Sequence, residues 1–195
     1  RIPRKRFMKT NLKKLRRDID RIDKKLLAFL NERARLTIQI GKLKEKRGES
    51  VFNPRREEEI YAKVAHLNRG PLPRKAVEAV YREVISGARS LQKTLTIVYQ
   101  GPPLSYAHLA ARHVFGSQAD YHDLITIGDV FTEVERGRAD YGIVPIENSI
   151  EGIVGYTLDR FIDTGLRISV ETFLKIDHFL IGRAKTMKRV KRLYF

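Results

Sequence analysis

The chain of 195 residues contains no cysteine and no tryptophan, and only two methionines. The missing cysteines exclude disulfides and thiolate metal sites, and leave the redox compartment undetermined. No stretch approaches the roughly 18 consecutive apolar residues of a membrane-spanning helix. The basic start lacks the apolar segment of a signal peptide. A cytoplasmic protein with no membrane partner is therefore expected. Acidic residues are scarce in one half only: residues 1–93 carry 27 Lys and Arg against 11 Asp and Glu, whereas 94–195 carry 12 of each. The whole net charge of +16 lies in the first half, which reads as a boundary between two domains. Such an excess suits nucleic acid, a multiply charged small acid, or no more than a solvated face. Residues 1–10, with Arg4, Lys5, Arg6 and Lys9, read as a solvated basic tail without a specific nucleic-acid role.

Proline is absent from residue 4 to residue 53, and a long helix fills the gap. Leu12, Leu15, Ile19, Ile22, Leu26, Phe29, Arg33, Leu36, Ile40 and Leu43 follow each other at steps of three and four, the seam of a helix packed along its length. The stripe is expected to face a core. Its one charged member, Arg33, cannot lose its proton and is expensive to bury alone. It needs either a carboxylate from elsewhere in the fold or an anionic ligand. Asn11 to about Lys46 would extend roughly 54 Å, too long for an isolated compact domain, and a helix of that length usually pairs with a second chain.

Gly48 is a candidate terminator of this helix. Asn53-Pro54 reads as an N-cap followed by proline at the first helical position, opening a second helix to about Asn68. A third covers about Arg74 to Gln92, with Val77, Val80, Tyr81, Val84 and Ile85 on its apolar face. From Thr94 the pattern alternates. Strands are expected at Leu95–Tyr99, Leu124–Ile127, Tyr141–Val144, Leu166–Val170 and Lys175–Gly182, with another beginning at Val190–Phe195. Helices are expected at Tyr106–Phe115, Asp129–Arg136 and Tyr156–Asp163. An all-α half followed by an α/β half with a largely parallel sheet is the expected architecture.

Eleven residues make nearly whole turns of a helix, so Lys44 lies about 20° from Arg33 and roughly 16 Å along the axis. The two cations flank a mostly apolar floor formed by Thr37 and Ile40, and both can lean towards a ligand with two anionic groups. Arg16 is turned about 100° away and would serve another pocket, such as that of a partner chain. Arg56, Glu57 and Gln92 add charge and hydrogen bonding but no nucleophile. No metal-ligand cluster and no cofactor motif accompany them.

This half resembles the all-helical class of chorismate mutase. The matching text is Leu15-Arg-Arg-Asp-Ile-Asp-Arg-Ile-Asp23, Leu26-Leu27, Glu32-Arg33, Gly41-Lys-Leu-Lys44, Val51-Phe-Asn-Pro-Arg-Arg-Glu57 and Ser90-Leu-Gln92. The resemblance covers residues 11–93 and implies a three-helix domain in an intertwined homodimer, joined through the long first helix. It also implies the rearrangement of chorismate to prephenate without a cofactor, in which the protein holds the reactive conformer and stabilises charge on the breaking ether oxygen. By the same resemblance, Arg33 and Arg16 of the partner subunit clamp the carboxylates. Lys44 and Gln92 hydrogen-bond the ether oxygen, Glu57 and Asn53 hold the ring hydroxyl, and Arg56 supports the site. Asn53 stands where the family usually has aspartate, and Ala88 where a serine is expected. Losing one such hydrogen bond costs about 0.5–1.5 kcal/mol, so mutase activity is expected to be reduced but retained.

Tyr141-Gly-Ile-Val-Pro-Ile-Glu-Asn-Ser-Ile-Glu-Gly152, with Asp129-Val-Phe, Val134-Glu-Arg-Gly137 and Ile176-Asp-His-Phe-Leu180, resembles prephenate dehydratase. The two resemblances together are those of a bifunctional chorismate mutase/prephenate dehydratase, which implies the making of phenylpyruvate for phenylalanine. Residues 94–195 would be a partial α/β lobe of periplasmic-binding-like type. Ser105, His108, Glu147, Asn148 and Ser149 would be half of the dehydratase site. His108 also reads as a helix-start residue satisfying local backbone, and that reading is preferred. In Gly101-Pro-Pro-Leu-Ser-Tyr-Ala-His108, Leu104 and Ala107 replace a glycine and a serine of the family pattern. The family's second lobe and phenylalanine-sensing (ACT) domain are not found in the sequence, so dehydratase activity is expected to be weak or absent. Association through exposed apolar sheet surface is expected as well. The competing readings are a non-catalytic basic module for nucleic acid or an acidic partner, and a degenerate mutase that only binds prephenate-like acids.

Overall fold

The computed structural model describes residues 12–149, 152–177, 179–183 and 186–192. The basic tail, Asn11 and the last three residues lie outside that range. Helix α1, Leu12–Arg47, is one unbroken rod, ended by Gly48 at φ +64° with the Glu49 amide on the Lys44 carbonyl. Helix α2, Pro54–Leu67, starts as expected, with the Asn53 side chain accepting from the Arg56 amide and proline at the first position. Helix α3, Arg74–Ser90, stops two residues before Gln92, which lies in the turn that follows.

None of the residues of α1 is buried. The apolar members of its stripe are between 45% (Leu15) and 65% (Phe29) exposed, so within one chain they face no core. The expected core on this face is not supplied within one chain: α1 packs on α3 around Gly41 and leaves the stripe open. On α3 the expected apolar face is also only partly covered. Ile85 is buried, Val77, Tyr81 and Val84 are half-buried, and Val80 is exposed.

In the second half, β1 (Thr96–Gln100) is the centre of a three-stranded parallel sheet ordered β2-β1-β3, flanked by β2 (Asp120–Leu124) and β3 (Tyr141–Ile143). Its two faces are covered by different helices. Ile97 packs with Ala111 and Phe115 of α4 (Tyr106–Phe115), while Val98 packs with Val130 of α5 (Ile127–Glu135). A strand covered on both faces reads as the continuous branched run seen here. Gly142 allows α5 to press on β3, since a Cβ there would stand 2.6 Å from Val130 Cγ1.

Four expected strands are corrected. The second strand is Asp120–Leu124, not Leu124–Ile127. The Thr126 hydroxyl accepts from the Asp129 amide and the Asp129 carboxylate accepts from the Thr126 amide, a capping box that turns Ile127 into the first residue of α5. Leu166–Val170 and the described part of Lys175–Gly182 form no ladder; among the described residues no strand edge pairs with them. Val190–Arg192 is likewise irregular after the short turn Met187–Arg189. A small hairpin, β4 (Glu147–Asn148) with β5 (Gly152–Ile153), and helix α6 (Gly155–Ile162) complete the order.

The two halves share one core. Phe52, from the α1–α2 connection, is buried with Leu95, Ile97, Ala111 and Phe115. Its ring lies 4.7 Å from that of Phe115 and 5.2 Å from that of Tyr141.

Candidate active site

On α1, the residues that share a face with Arg33 bring the first-half groups together. Arg33 is half-buried, and no ion pair or hydrogen bond to its guanidinium occurs among the described residues. One turn on, the Thr37 hydroxyl donates back to the Arg33 carbonyl at 3.1 Å. Gly41 receives the Gln92 side chain: a Cβ at Gly41 would stand 2.6 Å from Gln92 Cγ. Gln92 Oε1 is buried with no hydrogen-bond partner among the described residues. An orphaned buried acceptor costs about 1–3 kcal/mol, so it marks a site or a strain.

Lys44 points its ammonium at the connection to α2, donating to the Ser50 carbonyl at 2.9 Å and the Val51 carbonyl at 3.2 Å. It is close enough to Glu57 to oppose the effect of burial on that carboxyl. Glu57, in the first turn of α2, is nearly enclosed, and burial pushes its carboxyl above the usual range against the pull of Arg89 and then Lys44. Arg89 Nη1 donates to Glu57 Oε1 at 2.8 Å, with side-chain exposures of 7% and 13%. Removing either partner of so enclosed a pair costs about 3–5 kcal/mol, because the other charge is left buried alone.

The remaining first-half candidates are spread more widely. Asn53 commits its side-chain oxygen to capping α2 at 3.0 Å from the Arg56 amide. Arg56 pairs with Glu59 on its own helix, at 3.0 Å, and is mostly exposed. Ala88 is buried. Arg16 is exposed, far along α1 from the Gly41–Lys44 face.

In the second half, parallel pairing of β1 with β3 sends both chains out at the same edge of the sheet. Helices α4 and α5 lie on opposite faces, so this edge is a topological switch point, where open α/β sheets bind ligands. Ser105 follows β1 there, capping α4 by accepting from the His108 amide at 3.3 Å. His108 stacks on Tyr99, ring centroids 4.7 Å apart, and its Nδ1 accepts from the Leu104 amide at 2.9 Å. Both therefore serve local structure. Glu147, Asn148 and Ser149 follow β3 on the small hairpin; Glu147 and Ser149 are exposed and Asn148 is half-buried.

A cavity of about 310 Å³ opens between the halves, lined among others by Phe52, Glu57, Tyr61, Arg82 and His113. No group of three or more His, Asp or Glu residues suited to a metal occurs among the described residues. No helix among them is long and apolar enough to cross a membrane.

Comparison with known proteins assigns both halves. Residues 97–194 match the family model for prephenate dehydratase. The chain belongs to the prephenate dehydratase family. In front of that domain, residues 15–93 match the model for chorismate mutase type II, which accounts for the long helix and its two companions. The bifunctional chorismate mutase/prephenate dehydratase of Aquifex aeolicus is 43% identical over 187 residues, covering 94% of this chain and 52% of that protein. The proteins of the same name from Neisseria gonorrhoeae and Stutzerimonas stutzeri are 41% and 35% identical, covering 86% and 94% of this chain and 46% and 52% of theirs. The chain spans about half the length of the curated relatives it matches. A solved chorismate mutase from Thermus thermophilus overlaps 42% of this chain and 93% of its own, at 32% identity and a TM-score of 0.42.

The sequence reading missed Arg89. Its signal was present, because Ile85 and Arg89 are four residues apart and share the buried side of α3, as Arg33 shares the stripe of α1.

Proposed function

We propose that the first half rearranges chorismate to prephenate within a homodimer, and that the second half acts on prephenate. What carries the reading is the Gln92 side chain seated against Gly41, on the helix face that also bears Lys44 and Arg33, the latter unpaired among the described residues. A dianionic ligand lying on this face would meet two cations and an amide, with Glu57 at its rim.

In this reading Arg33 and Arg16 of the partner subunit bind the carboxylates, because a guanidinium fork matches a carboxylate in two places. Lys44 and the Gln92 amide steady negative charge on the ether oxygen as the bond breaks, the step at which fixed donors are most effective. Lys44 is already fixed by the Ser50 and Val51 carbonyls, so its ammonium needs little reorganisation. Glu57 and Asn53 hold the ring hydroxyl, and Arg56 lies at the edge. The alanine at position 88 offers no hydrogen bond, which lowers the rate without abolishing it.

The dimer is part of the proposal. An apolar stripe half exposed from Leu12 to Leu43 is a seam for a second copy of the same helix. Glu147, Asn148 and Ser149 are assigned to prephenate at the β1–β3 edge, with Ser105 and His108 shaping the start of α4 beside them. A cytoplasmic setting belongs to the same proposal, on charge pattern and enzyme class alone.

The test is chorismate turnover by the intact chain and by Arg33→Lys. A point charge cannot replace the fork, so turnover should fall by at least about 100-fold. Equal turnover by the two would dismiss the clamp. Steep salt dependence without turnover would favour a basic binding module.

A further inference from the structure

We propose that Arg89 is a positioning residue through which the α/β half holds the mutase carboxylate Glu57 in place. The proposal rests on the mutase reading of Glu57 and adds to it a dependence of the first-half site on the second half.

The geometry is a bridge with one guanidinium as its span. Arg89 Nη1 donates to Glu57 Oε1 at 2.8 Å, and Nη2 donates to the Phe115 carbonyl at 2.6 Å. That carbonyl belongs to the last residue of α4, one of the carbonyls a helix end leaves without an internal partner. The C-terminal pole of a helix also favours a cation. The guanidinium plane is further fixed by two rings, its Cζ lying 5.1 Å from the centroid of Phe52 and 5.5 Å from that of Phe115. A second donor braces the same carbonyl: Ser86 Oγ donates to it at 2.8 Å. Gly116, at φ +73°, lets the chain leave α4 against Ser86, where any Cβ would stand 2.5 Å from Ser86 Cβ.

The same junction steadies Lys44. Its two carbonyl partners, Ser50 and Val51, immediately precede Phe52, whose ring is buried against Phe115 and Tyr141. The Ser50 and Tyr141 hydroxyls are also hydrogen-bonded at 3.0 Å. Two of the groups assigned to chorismate thus lean on the α/β half. A surface arginine would not be enclosed in this way, and a purely structural one would not spend one arm of its fork on a site carboxylate.

The consequence is electrostatic. Glu57 faces Arg89 from α3, Lys44 from α1 and Tyr61 on its own helix. Glu58, Glu78, Arg82, His113 and Glu171 line the adjoining cavity and are common to the parent and to any Arg89 variant. Arg89 is the larger of the two influences that hold the carboxyl down against burial, so neutralising it lets Glu57 take a proton at higher pH.

The experiment compares the intact chain with Arg89→Gln, Arg89→Lys and Ser86→Ala, reading the pH profile of chorismate turnover and the Glu57 carboxyl-carbon titration by NMR. Arg89→Gln should move the acid limb and the titration upwards by about one pH unit or more. Arg89→Lys keeps the charge and should cancel most of that shift. Ser86→Ala weakens the same junction without touching Glu57 and should lower thermal stability while leaving the limb where it was. An unmoved Glu57 titration in Arg89→Gln, or an equal shift in Ser86→Ala, would overturn the proposal. Should the parent chain not turn over chorismate, the mutase reading fails by itself, and the NMR titration still decides whether Arg89 governs Glu57.

Discussion

Gln92 fills the space that a side chain at Gly41 would occupy, with its Cγ 2.6 Å from where that Cβ would stand. The contact joins the middle of α1 to the turn after α3, and it places the orphaned Gln92 Oε1 on the Arg33–Lys44 face. Gly41→Ala should therefore displace Gln92 while favouring the helix itself, alanine being better than glycine in a helix interior by about 1 kcal/mol. Chorismate kcat/KM should fall about 10- to 100-fold with no loss of thermal stability, since a misplacement of about an ångström costs on that order. Activity unchanged in Gly41→Ala would show that Gln92 need not lie there.

The α1 stripe gives a prediction about assembly. Ile22→Asp puts a charge in the middle of a seam that one chain leaves open. Sedimentation velocity should show a dimer for the parent and a monomer for the variant. Turnover should disappear with the dimer, because Arg16 of the partner subunit is assigned to the site. A variant that stays dimeric would place the interface on another face.

Leu104 takes φ +70°, where a side chain is strained and glycine is not. It is also largely exposed, so its side chain gains little from burial. After allowing for the extra freedom of glycine in the unfolded chain, Leu104→Gly should stabilise the protein by about 0.5–1 kcal/mol. That corresponds to a rise in Tm of about 1–4 °C, measurable by calorimetry.

Tyr121 supplies a pH dependence of known sign. Its hydroxyl donates to the Gly116 carbonyl, and burial pushes its pKa from 10.0 to about 12. Because the folded state keeps this proton longer than the unfolded one, the stabilisation is complete below pH 10 and is lost as pH rises towards about 12. Chemical denaturation across that window should show a steeper loss for the parent than for Tyr121→Phe, and the parent's ultraviolet titration should show a late tyrosinate step that is smaller in Tyr121→Phe, where only the raised Tyr61 and Tyr99 remain.

Much of the helical half was readable in the chain. Asn53-Pro54 and Gly48 punctuate it with side-chain and backbone geometry that acts locally, so the ends of α1 and α2 fall where expected. The stripe was readable as apolar, but what it faces depends on a neighbour that periodicity cannot name. In the α/β half, Leu166–Val170 and Lys175–Gly182 have strand-like composition and no ladder, because a strand exists only where another edge accepts its hydrogen bonds. Thr126 and Asp129 overrode the branched Leu124–Ile127 run by capping a helix inside it. For the site, Arg33 was visible as a charge on an apolar face. Arg89 carries the same signal on α3 and was passed over, and its partner at Phe115 is a backbone carbonyl that no side-chain pattern encodes.

The most direct test of the central claim follows chorismate absorbance with the intact chain and identifies the product. The expected result is consumption of chorismate with formation of prephenate, and strong loss of that activity in Arg33→Lys. A chain that is folded and dimeric, binds chorismate and leaves it unconsumed would contradict the claim and make the Arg33–Lys44 face a binding surface only.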